Sequence, residues 1–369
     1  MDIKEDRLLS LDLFRGLTMF LLTAEGTELY HALISSASEG SFLYGIMEQF
    51  HHHPWNGLRF WDMIQPYFMF IVGVAMPFSL NKRIKKGYTE SQNRNHILKR
   101  SFYLLMFGVG LQCGYNRAVV WELWNVLAQL SVTIPIAFFL MRKSWRTQIL
   151  GSIILLLLTD LLYRFFPLDG YNQPFVKDQN FGSWMDMMMM GKLSPGSWTA
   201  INFIPTAAHT IWGVLAGQLL LSTKVNPIKK LHYLLIAGGV GVVVGHGMDI
   251  TGLEPIIKRI CTPAFVLASG GWAFLTLGLF YWMVDLKKIQ GRWITFFAIV
   301  GMNPIFIYLF SQTVGHQWFN GFVGIFSGDL LVSMGLGEHG GEIITALVAL
   351  ALEWGFCYWL YKRKIFFRI

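Results

Sequence analysis

Residues 61–80 read WDMIQPYFMFIVGVAMPFSL, a run of twenty residues in which Asp62 is the one charged side chain. About twenty apolar residues form a helix about 30 Å long, which matches the hydrocarbon core of a bilayer. The whole chain shares this character, since 54% of its 369 residues are hydrophobic, 14% are charged and its mean hydropathy is +0.45. This composition excludes an ordinary soluble globule, which carries about 25% charged residues, and it excludes disorder.

Apolar runs of comparable length recur along the chain and are separated by polar or turn-forming clusters. We therefore predict one all-α integral-membrane domain, residues 1–369, a helical bundle with about ten transmembrane helices. The three cysteines are widely spaced and fall in or beside apolar runs, so they suggest neither disulfides nor a zinc site. The predicted spans are 10–32, 61–80, 100–115, 122–141, 147–166, 199–221, 233–250, 262–284, 293–314 and 341–361.

The distribution of Lys and Arg predicts the orientation of this bundle. If the N-terminus is cytoplasmic, 22 basic residues lie in the tails and turns on that side, and seven lie on the opposite side. Because cytoplasmic loops are enriched in Lys and Arg, we predict that both termini are cytoplasmic. The same scatter explains the net charge of +8 without nucleic acid, for which the chain has no binding motif.

Two long external loops, about 33–60 and 167–198, are expected to carry function, as long ordered loops on a rigid scaffold usually do. The first contains Phe50-His51-His52-His53-Pro54-Trp55-Asn56-Gly57. In an extended segment His51 and His53 would point to one side and His52 to the other. Two ligands without converging carboxylates are too few for zinc, so we expect no metal. A neutral imidazole at the mouth of a helical bundle can instead act as a base.

Charged side chains within a predicted span need a partner, a water-filled cavity or a function. Asp12 and Arg15 lie three residues apart on one helix face, where they can form an ion pair, or Arg15 can contact an anionic ligand. Glu25 lies deeper in the same span, and structural and catalytic roles are both open for it. Asp62 begins the second span ten residues after His52. It is favourable at a helix N-terminus, and it could also accept the ring N–H of a histidine and fix its tautomer.

Several motifs together resemble the heparan-alpha-glucosaminide N-acetyltransferase family. The most specific part is the first 75 residues, where both order and spacing are kept, and looser agreement extends over most of the chain. The matching stretches are RLLSLDLFRG at 7–16, His52-x-x-Trp55-Asn56-Gly57, Asp62, Pro66-x-Phe68-x-Phe70-Ile71-x-Gly73, NVLAQ at 125–129, IPT at 204–206, GVLAG at 213–217 and Gly301-Met302-Asn303.

This resemblance implies an acetyltransferase that moves acetyl from cytosolic acetyl-CoA to the amine of a glucosamine-type sugar on the far side of the membrane. The family's histidine carries over to His52, as general base or transient acetyl carrier, with Asp62 or Glu25 orienting it. The phosphates of acetyl-CoA should remain near basic residues at the cytoplasmic helix ends. The candidate contacts there are Arg15, Lys82, Arg83 and Arg100.

The candidate contacts to the acceptor sugar come from both external loops and a late span. They are Trp55, Asn56, Asn180, Asp186 and Asn303. The spacing between Asn180 and Asp186 follows the family, whereas Met187 stands where a basic residue is expected, and Glu25 and Gly26 stand where the family has asparagine. The chain resembles a bacterial branch, so we expect a multi-pass protein of the inner membrane. Its oligomeric state is left open, and a homodimer is one alternative.

A transporter is the alternative function. Asp12, Glu25 and Asp62 could form a proton relay, and spans that contain Gly and Pro could rock around a central sugar site. The chain has no convincing internal repeat, which favours the acyltransferase. Proton-coupled sugar uptake without CoA would favour the transporter.

Overall fold

The computed structural model describes residues 8–367, and these residues are almost entirely helical. Lys4, Arg7 and Arg368, which contribute to the orientation argument, lie outside them. The helices are α1 (Leu9–Gly26), α2 (Leu29–Ser35), α3 (Phe42–Glu48), α4 (Ile64–Lys85), α5 (Glu90–Asn116), α6 (Val126–Met141), α7 (Trp145–Arg164), α8 (Phe181–Met190), α9 (Phe203–Leu221), α10 (Pro227–Ile250), α11 (Pro263–Phe280), α12 (Arg292–Gly301), α13 (Pro304–Phe310), α14 (Asn320–Phe326), α15 (Gly328–Ser333) and α16 (Glu338–Lys362).

Tighter or wider helical turns extend several of these helices. Two 3₁₀ turns, Phe60–Met63 and Ala200–Asn202, precede α4 and α9. Two π-helical segments, Tyr281–Leu286 and Ser311–Phe319, follow α11 and α13. π-Helical turns are rare, and those within α-helices are frequently found at functional sites.

Helix boundaries follow the capping residues of the sequence. Thr89 accepts a hydrogen bond from the Gln92 N–H, and the Gln92 side chain accepts one from the Thr89 N–H, which forms a capping box at α5. Asn125 caps α6 by accepting from the Ala128 N–H at 3.0 Å. At the other end of a helix, α1 stops at Gly26, and Glu28 turns the chain with φ +64° before α2.

The chain divides into two compact units. Unit 1 consists of the residues up to His52, Arg59–Ile64 and Met283 onward, and unit 2 consists of His53–Leu58 and Gln65–Trp282. Unit 1 therefore contains α1–α3 and α12–α16, and unit 2 contains α5–α11 with nearly all of α4.

In unit 1, α1 and α12 approach so closely that only glycine fits at their contact. A Cβ added to Gly16 would lie 2.1 Å from the Phe297 carbonyl oxygen, and one added to Gly301 would lie 2.8 Å from the Gly16 N. Small residues allow such close backbone approach between membrane helices. Beside this contact, Ala24, Tyr30, Trp61, Ile64 and Leu350 form a buried apolar cluster.

In unit 2, α9 is largely buried and meets α4 at glycines. Gly73 and Gly213 face each other, because a Cβ on either would lie 2.1 Å from a carbonyl oxygen of the opposite helix. Buried polar side chains along this region are paired with one another, as apolar surroundings require. The pairs are Gln65 to Gln129 at 2.6 Å, Thr210 to Thr133 at 3.2 Å and His209 to Ser269 at 3.0 Å.

Within residues 8–367, six helices are long and apolar enough to cross a membrane. A seventh span arises if α12 and the residues from Pro304 to Ser333, which meet at a bend of 72°, are counted together. This confirms the prediction of an all-α membrane protein. The expected number of ten requires α1, α5 and α6 to cross as well. Each of these departs from the pattern, since α1 carries Asp12, Arg15 and Glu25, the first half of α5 is polar, and α6 is short.

Candidate active site

A backbone hydrogen bond within unit 1 joins the residues just before His52 to the 3₁₀ turn that contains Asp62. After α3, the Gln49 carbonyl accepts a hydrogen bond from the Trp61 N–H at 2.9 Å, which brings the start of the 3₁₀ turn beside the residues that precede His52. The Trp61 ring packs against Tyr30, whose ring also packs against Phe50. The apolar cluster of unit 1 thus holds both the residues before His52 and the 3₁₀ turn that contains Asp62.

His52 and Asp62 form a hydrogen-bonded pair within unit 1. His52 Nδ1 lies 2.9 Å from Asp62 Oδ1; the Asp62 side chain is 1% exposed, and the His52 side chain is 36% exposed. An ionised carboxylate can only accept, so Nδ1 carries the proton and the lone pair remains on Nε2. A carboxylate that fixes this tautomer is the orienting group of many acid–base sites. The pair can therefore present a base at a partly open position.

Arg59 supports both members of this pair, and sequence reasoning missed it. Its N–H donates to Asp62 Oδ2 at 3.0 Å, and its guanidinium donates to the His52 carbonyl at 3.2 Å and to Glu48. Asp62 thereby has a donor on each oxygen, which fixes the plane of its carboxylate. The spacing of three residues between Arg59 and Asp62 at a helix start was the available signal.

The three neighbouring histidines have different surroundings. His51 Nδ1 lies 3.0 Å from the Met47 carbonyl, and His52 faces Asp62. His53 belongs to unit 2, where its ring lies under Gly57; a Cβ at Gly57, which has φ +143°, would come within 2.6 Å of it. Among residues 8–367 no three His, Cys, Asp or Glu side chains are grouped as metal ligands would be.

The segment after His52 is anchored in unit 2. The Trp55 indole N–H donates to the Phe175 carbonyl at 2.8 Å, and its ring packs against a cluster that contains Tyr163 and Ile257. Asn56 pairs with Ile257 in an isolated antiparallel bridge, and its side chain is exposed. Of the two candidate acceptor contacts here, Trp55 has its N–H committed, and Asn56 remains available.

Asn180 and Asp186, in the segment 167–198, both form hydrogen bonds within the protein. Asn180 is fully buried; its Oδ1 accepts from the Ser183 N–H at the start of α8, and its Nδ2 donates to Val176. Asp186 accepts from the Trp124 indole at 2.7 Å and from the Ala200 N–H at 2.9 Å. Burial raises the pKa of Asp186 to about 6, although these two donors act in the opposite direction.

Asn303 and Glu25 also have positions that the sequence did not predict. Asn303 is fully buried at the bend between α12 and α13, where its Nδ2 donates to the Ile365 carbonyl and its Oδ1 accepts from the Phe367 N–H. Both amide atoms therefore hold the C-terminal segment. Glu25 has an exposed side chain near the end of α1, whereas the carboxylate on His52 Nδ1 is that of Asp62.

The basic residues expected near acetyl-CoA fall in both units. In unit 1, Arg15 pairs with Asp12 at 3.8 Å, which confirms the expected ion pair. In unit 2, Lys82 is exposed, and Arg83 donates to Asn93 at 2.7 Å. Burial, and then the nearby charges of Arg83 and Arg100, lower the pKa of His96. Arg83 and Arg100 thus lie near one histidine, and His96 was not predicted.

Three further buried ionisable groups were missed by sequence reasoning. His209 on α9 is fully buried, and Glu254 and Glu353 are each 1% exposed. Glu353 interrupts the apolar run of α16, and this signal was available from the sequence. Glu254 lies in a turn between α10 and α11, where local sequence gives no such signal.

Comparison with known proteins decides the family. The family described as "Heparan-alpha-glucosaminide N-acetyltransferase, catalytic" matches residues 7–247. The chain belongs to this family. It is 24% identical to the heparan-alpha-glucosaminide N-acetyltransferase of Mus musculus over 99% of this chain and 61% of that protein. The Homo sapiens enzyme of that name is also 24% identical, over 98% of this chain and 60% of its own length. The chain thus spans about three-fifths of these relatives, and the resemblance of its early motifs to the heparan-alpha-glucosaminide N-acetyltransferase family is confirmed.

Proposed function

We propose that this protein is a transmembrane acetyltransferase that moves acetyl from cytosolic acetyl-CoA to the amine of a glucosamine-type sugar on the periplasmic side. The observation that carries this proposal is the 2.9 Å pair between His52 Nδ1 and Asp62 Oδ1. Family membership supplies the reaction type, and the pair supplies a base. Residues 1–369 would act as one integral-membrane acyltransferase domain.

Acyl transfer to an amine requires a base for the proton that the nucleophile loses. In the direct route, the amine nitrogen forms the new bond to the acetyl carbon while the carbon–sulfur bond of the thioester breaks. His52 Nε2 takes the amine proton, the CoA thiolate leaves, and a proton returns to the sulfur. In the alternative route, Nε2 bonds to the acetyl carbon as the carbon–sulfur bond breaks and the CoA thiolate leaves; the amine then attacks that carbon, the bond to Nε2 breaks, and the imidazole takes the amine proton. In both, Asp62 holds the ring and stabilises its positive charge.

The donor would bind at basic residues on the cytoplasmic side. Arg83 and Arg100 in unit 2 offer positive charge to the phosphates of acetyl-CoA, and Lys82 and Arg15 are further candidates. This arrangement fits a topology of ten spans in an inner membrane with both termini cytoplasmic. That topology predicts that a cysteine introduced near residue 85 reacts with reagents only from the cytoplasmic side.

The acceptor would enter from the external loops. Asn56 is the exposed candidate contact, whereas the side chains of Asn180, Asp186 and Asn303 are already used within the protein. We propose that these three shape the loops and the C-terminal segment, and that Trp55 contributes its ring face to the sugar. Aromatic faces commonly pack against the apolar faces of sugar rings.

The proposal is tested with purified protein, acetyl-CoA and glucosamine. Thiol release and acetylated sugar, measured by mass spectrometry over a panel of amino sugars and sugar alcohols, should appear together. His52→Ala should reduce turnover by about 10²–10⁴-fold, the usual contribution of a general base. His51→Ala is the matched control and should retain activity. Normal turnover in a folded His52→Ala variant would contradict the assigned role, and sugar uptake into proteoliposomes without CoA would favour transport.

A further inference from the structure

A loop between α10 and α11 forms the support for the segment that follows His52. Within this loop, Asp249 Oδ1 accepts from the Ile256 N–H at 3.0 Å. The Thr262 hydroxyl donates to the Pro255 carbonyl at 2.7 Å and accepts from the Ile257 N–H at 3.1 Å. These bonds tie residues 251–262 into one turn at the ends of two helices.

The support is direct, because the segment pairs with this loop through its backbone. The Gly57 N–H donates to the Ile256 carbonyl at 2.8 Å, and Asn56 bridges to Ile257. Trp55 packs against the apolar cluster that contains Ile257. Any movement of residues 254–257 would therefore move the Trp55–Gly57 segment.

Glu254 lies two residues before this pairing, and its side chain is buried. It is 1% exposed, and its carboxyl lies beside the Asp160 side chain and the Ala264 N–H, although within the described residues neither oxygen meets the full geometry of a hydrogen bond. Its own N–H donates to the Met248 carbonyl at 3.1 Å, so its backbone is fixed. The carboxyl thus faces the interior of unit 2 and is not turned to solvent.

The charged and titratable groups around Glu254 do not provide a dedicated cation. Asp160 and Arg164 of α7 act on it, and Arg164 is already used, since it donates to Asp160 and to the Leu253 carbonyl, both at 2.6 Å. Tyr163 of α7 lines the same small void, and Asp249 is the acid at the end of α10. The first turn of α11, Pro263 to Phe265, contributes no titratable side chain.

Ionisation of Glu254 is therefore unfavourable in the folded protein. Burial, and next the negative charge of Asp160, raise the pKa of Glu254 to about 8 from its usual 4.5. At pH 7 the neutral form of the carboxyl predominates, which suits a buried site beside the negative charge of Asp160. Above pH 8 a second negative charge would stand beside Asp160 at the base of the loop.

We propose that the protonated carboxyl of Glu254 is a positioning group. It keeps the loop 251–262 closed and thereby holds the Trp55–Gly57 segment, which follows the catalytic histidine along the chain. This role rests on the acetyltransferase function proposed above. Glu254 touches no reacting atom; it acts through Ile256 and Ile257. Its loss of a proton at alkaline pH releases the segment and lowers turnover.

The test compares Glu254→Gln, which mimics the neutral acid, with the wild type across pH 7 to 9. The neutral fraction of a group with a pKa of about 8 falls about tenfold over this range. The ratio of wild-type to Glu254→Gln kcat should fall about tenfold as well, while KM for acetyl-CoA stays unchanged. The exposed Glu39→Gln is the control and should follow the wild type. A ratio that stays constant with pH would overturn the proposal.

A second measurement does not depend on activity. Amide hydrogen exchange of residues 53–58, corrected for the intrinsic effect of pH, should lose protection above pH 8 in the wild type and keep it in Glu254→Gln. If neither protein turns over acetyl-CoA but this difference appears, the acetyltransferase function fails and the loop role stands. Equal protection in both proteins refutes the loop role, whatever the activity.

Discussion

Replacing Asp62 by Asn tests the proposed catalytic pair most directly. Asp62 Oδ1 receives the His52 ring N–H at 2.9 Å, and Oδ2 receives the Arg59 N–H at 3.0 Å, so this buried carboxylate accepts on both sides. Asparagine has the same shape but only one accepting atom. If its oxygen faces His52, its NH₂ meets the N–H of Arg59; if it is flipped, the NH₂ meets the imidazole and selects the other tautomer.

The magnitude follows from the one donor that asparagine leaves unmatched. An unsatisfied buried hydrogen-bonding group costs about 1–3 kcal/mol. At about 1.4 kcal/mol per factor of ten, the oriented tautomer loses population by about 5- to 150-fold. We expect kcat to fall by this factor and KM for acetyl-CoA to change little, because the donor's basic residues are untouched.

The assay is release of CoA thiol with mass-spectrometric detection of acetylated glucosamine, on variants whose thermal unfolding shows that they are folded. Because Asp62 acts only through the imidazole, Asp62→Asn in a His52→Ala background should cause no further loss. The exposed Asp329→Asn is the control for loss of one carboxylate in unit 1. Wild-type turnover in Asp62→Asn, or additive losses in the double variant, would refute the reasoning.

Three further predictions concern stability. Gly16→Ala should lower the free energy of unfolding by about 1–3 kcal/mol, and with it the melting temperature, because the added Cβ would lie 2.1 Å from a carbonyl oxygen of α12. Gly355→Ala, whose Cβ would meet open space, should leave both unchanged. Glu353→Met should raise the free energy of unfolding by about 1–3 kcal/mol, because it removes a carboxyl that is 1% exposed from an apolar helix. Asp186 binds its proton more tightly in the folded than in the unfolded protein. The protonated side chain therefore adds about 3 kcal/mol to the free energy of unfolding below pH 3.8, and this contribution is lost as the pH rises through about 6. Denaturant unfolding should show this slope in the wild type and not in Asp186→Asn.

The helical fold could be predicted because hydropathy is a local property. A twenty-residue apolar run has few alternatives to a membrane helix, and the helix at 64–85 lies where the run at 61–80 predicted it. The last third of the chain was harder to predict. Residues 293–314 look like one span by composition, yet Asn303 and Pro304 break it, and the chain bends by 72°. The bend lies where Pro304 lacks a backbone N–H and where Asn303 is hydrogen-bonded to Ile365 and Phe367 near the C-terminus.

The candidate site could be predicted only in part, for a comparable reason. The pairing of His52 with Asp62 was one alternative for two residues ten apart, and it is the one that the structure shows. The hydrogen bonds of Asn180 and Asn303 were not visible, because an asparagine that bonds to its own chain and one that contacts a sugar are the same letter. Glu254 was missed since its surroundings come from α7, about ninety residues earlier in the chain.

His52 is held by a hydrogen bond to its ring and by the main chain that follows it. Because the first acts on the base directly and the second does not, we expect effects of different size. Its ring is fixed by a hydrogen bond to Asp62 within unit 1, so loss of that bond acts on the base itself at every pH. The main chain after it enters unit 2 at His53, and there the loop that contains Glu254 holds it through Ile256 and Ile257. That influence reaches the imidazole only through the intervening backbone. Asp62→Asn should therefore reduce turnover at pH 7, where the neutral carboxyl of Glu254 makes Glu254→Gln almost silent, and the effect of Glu254 should emerge only as its proton is lost.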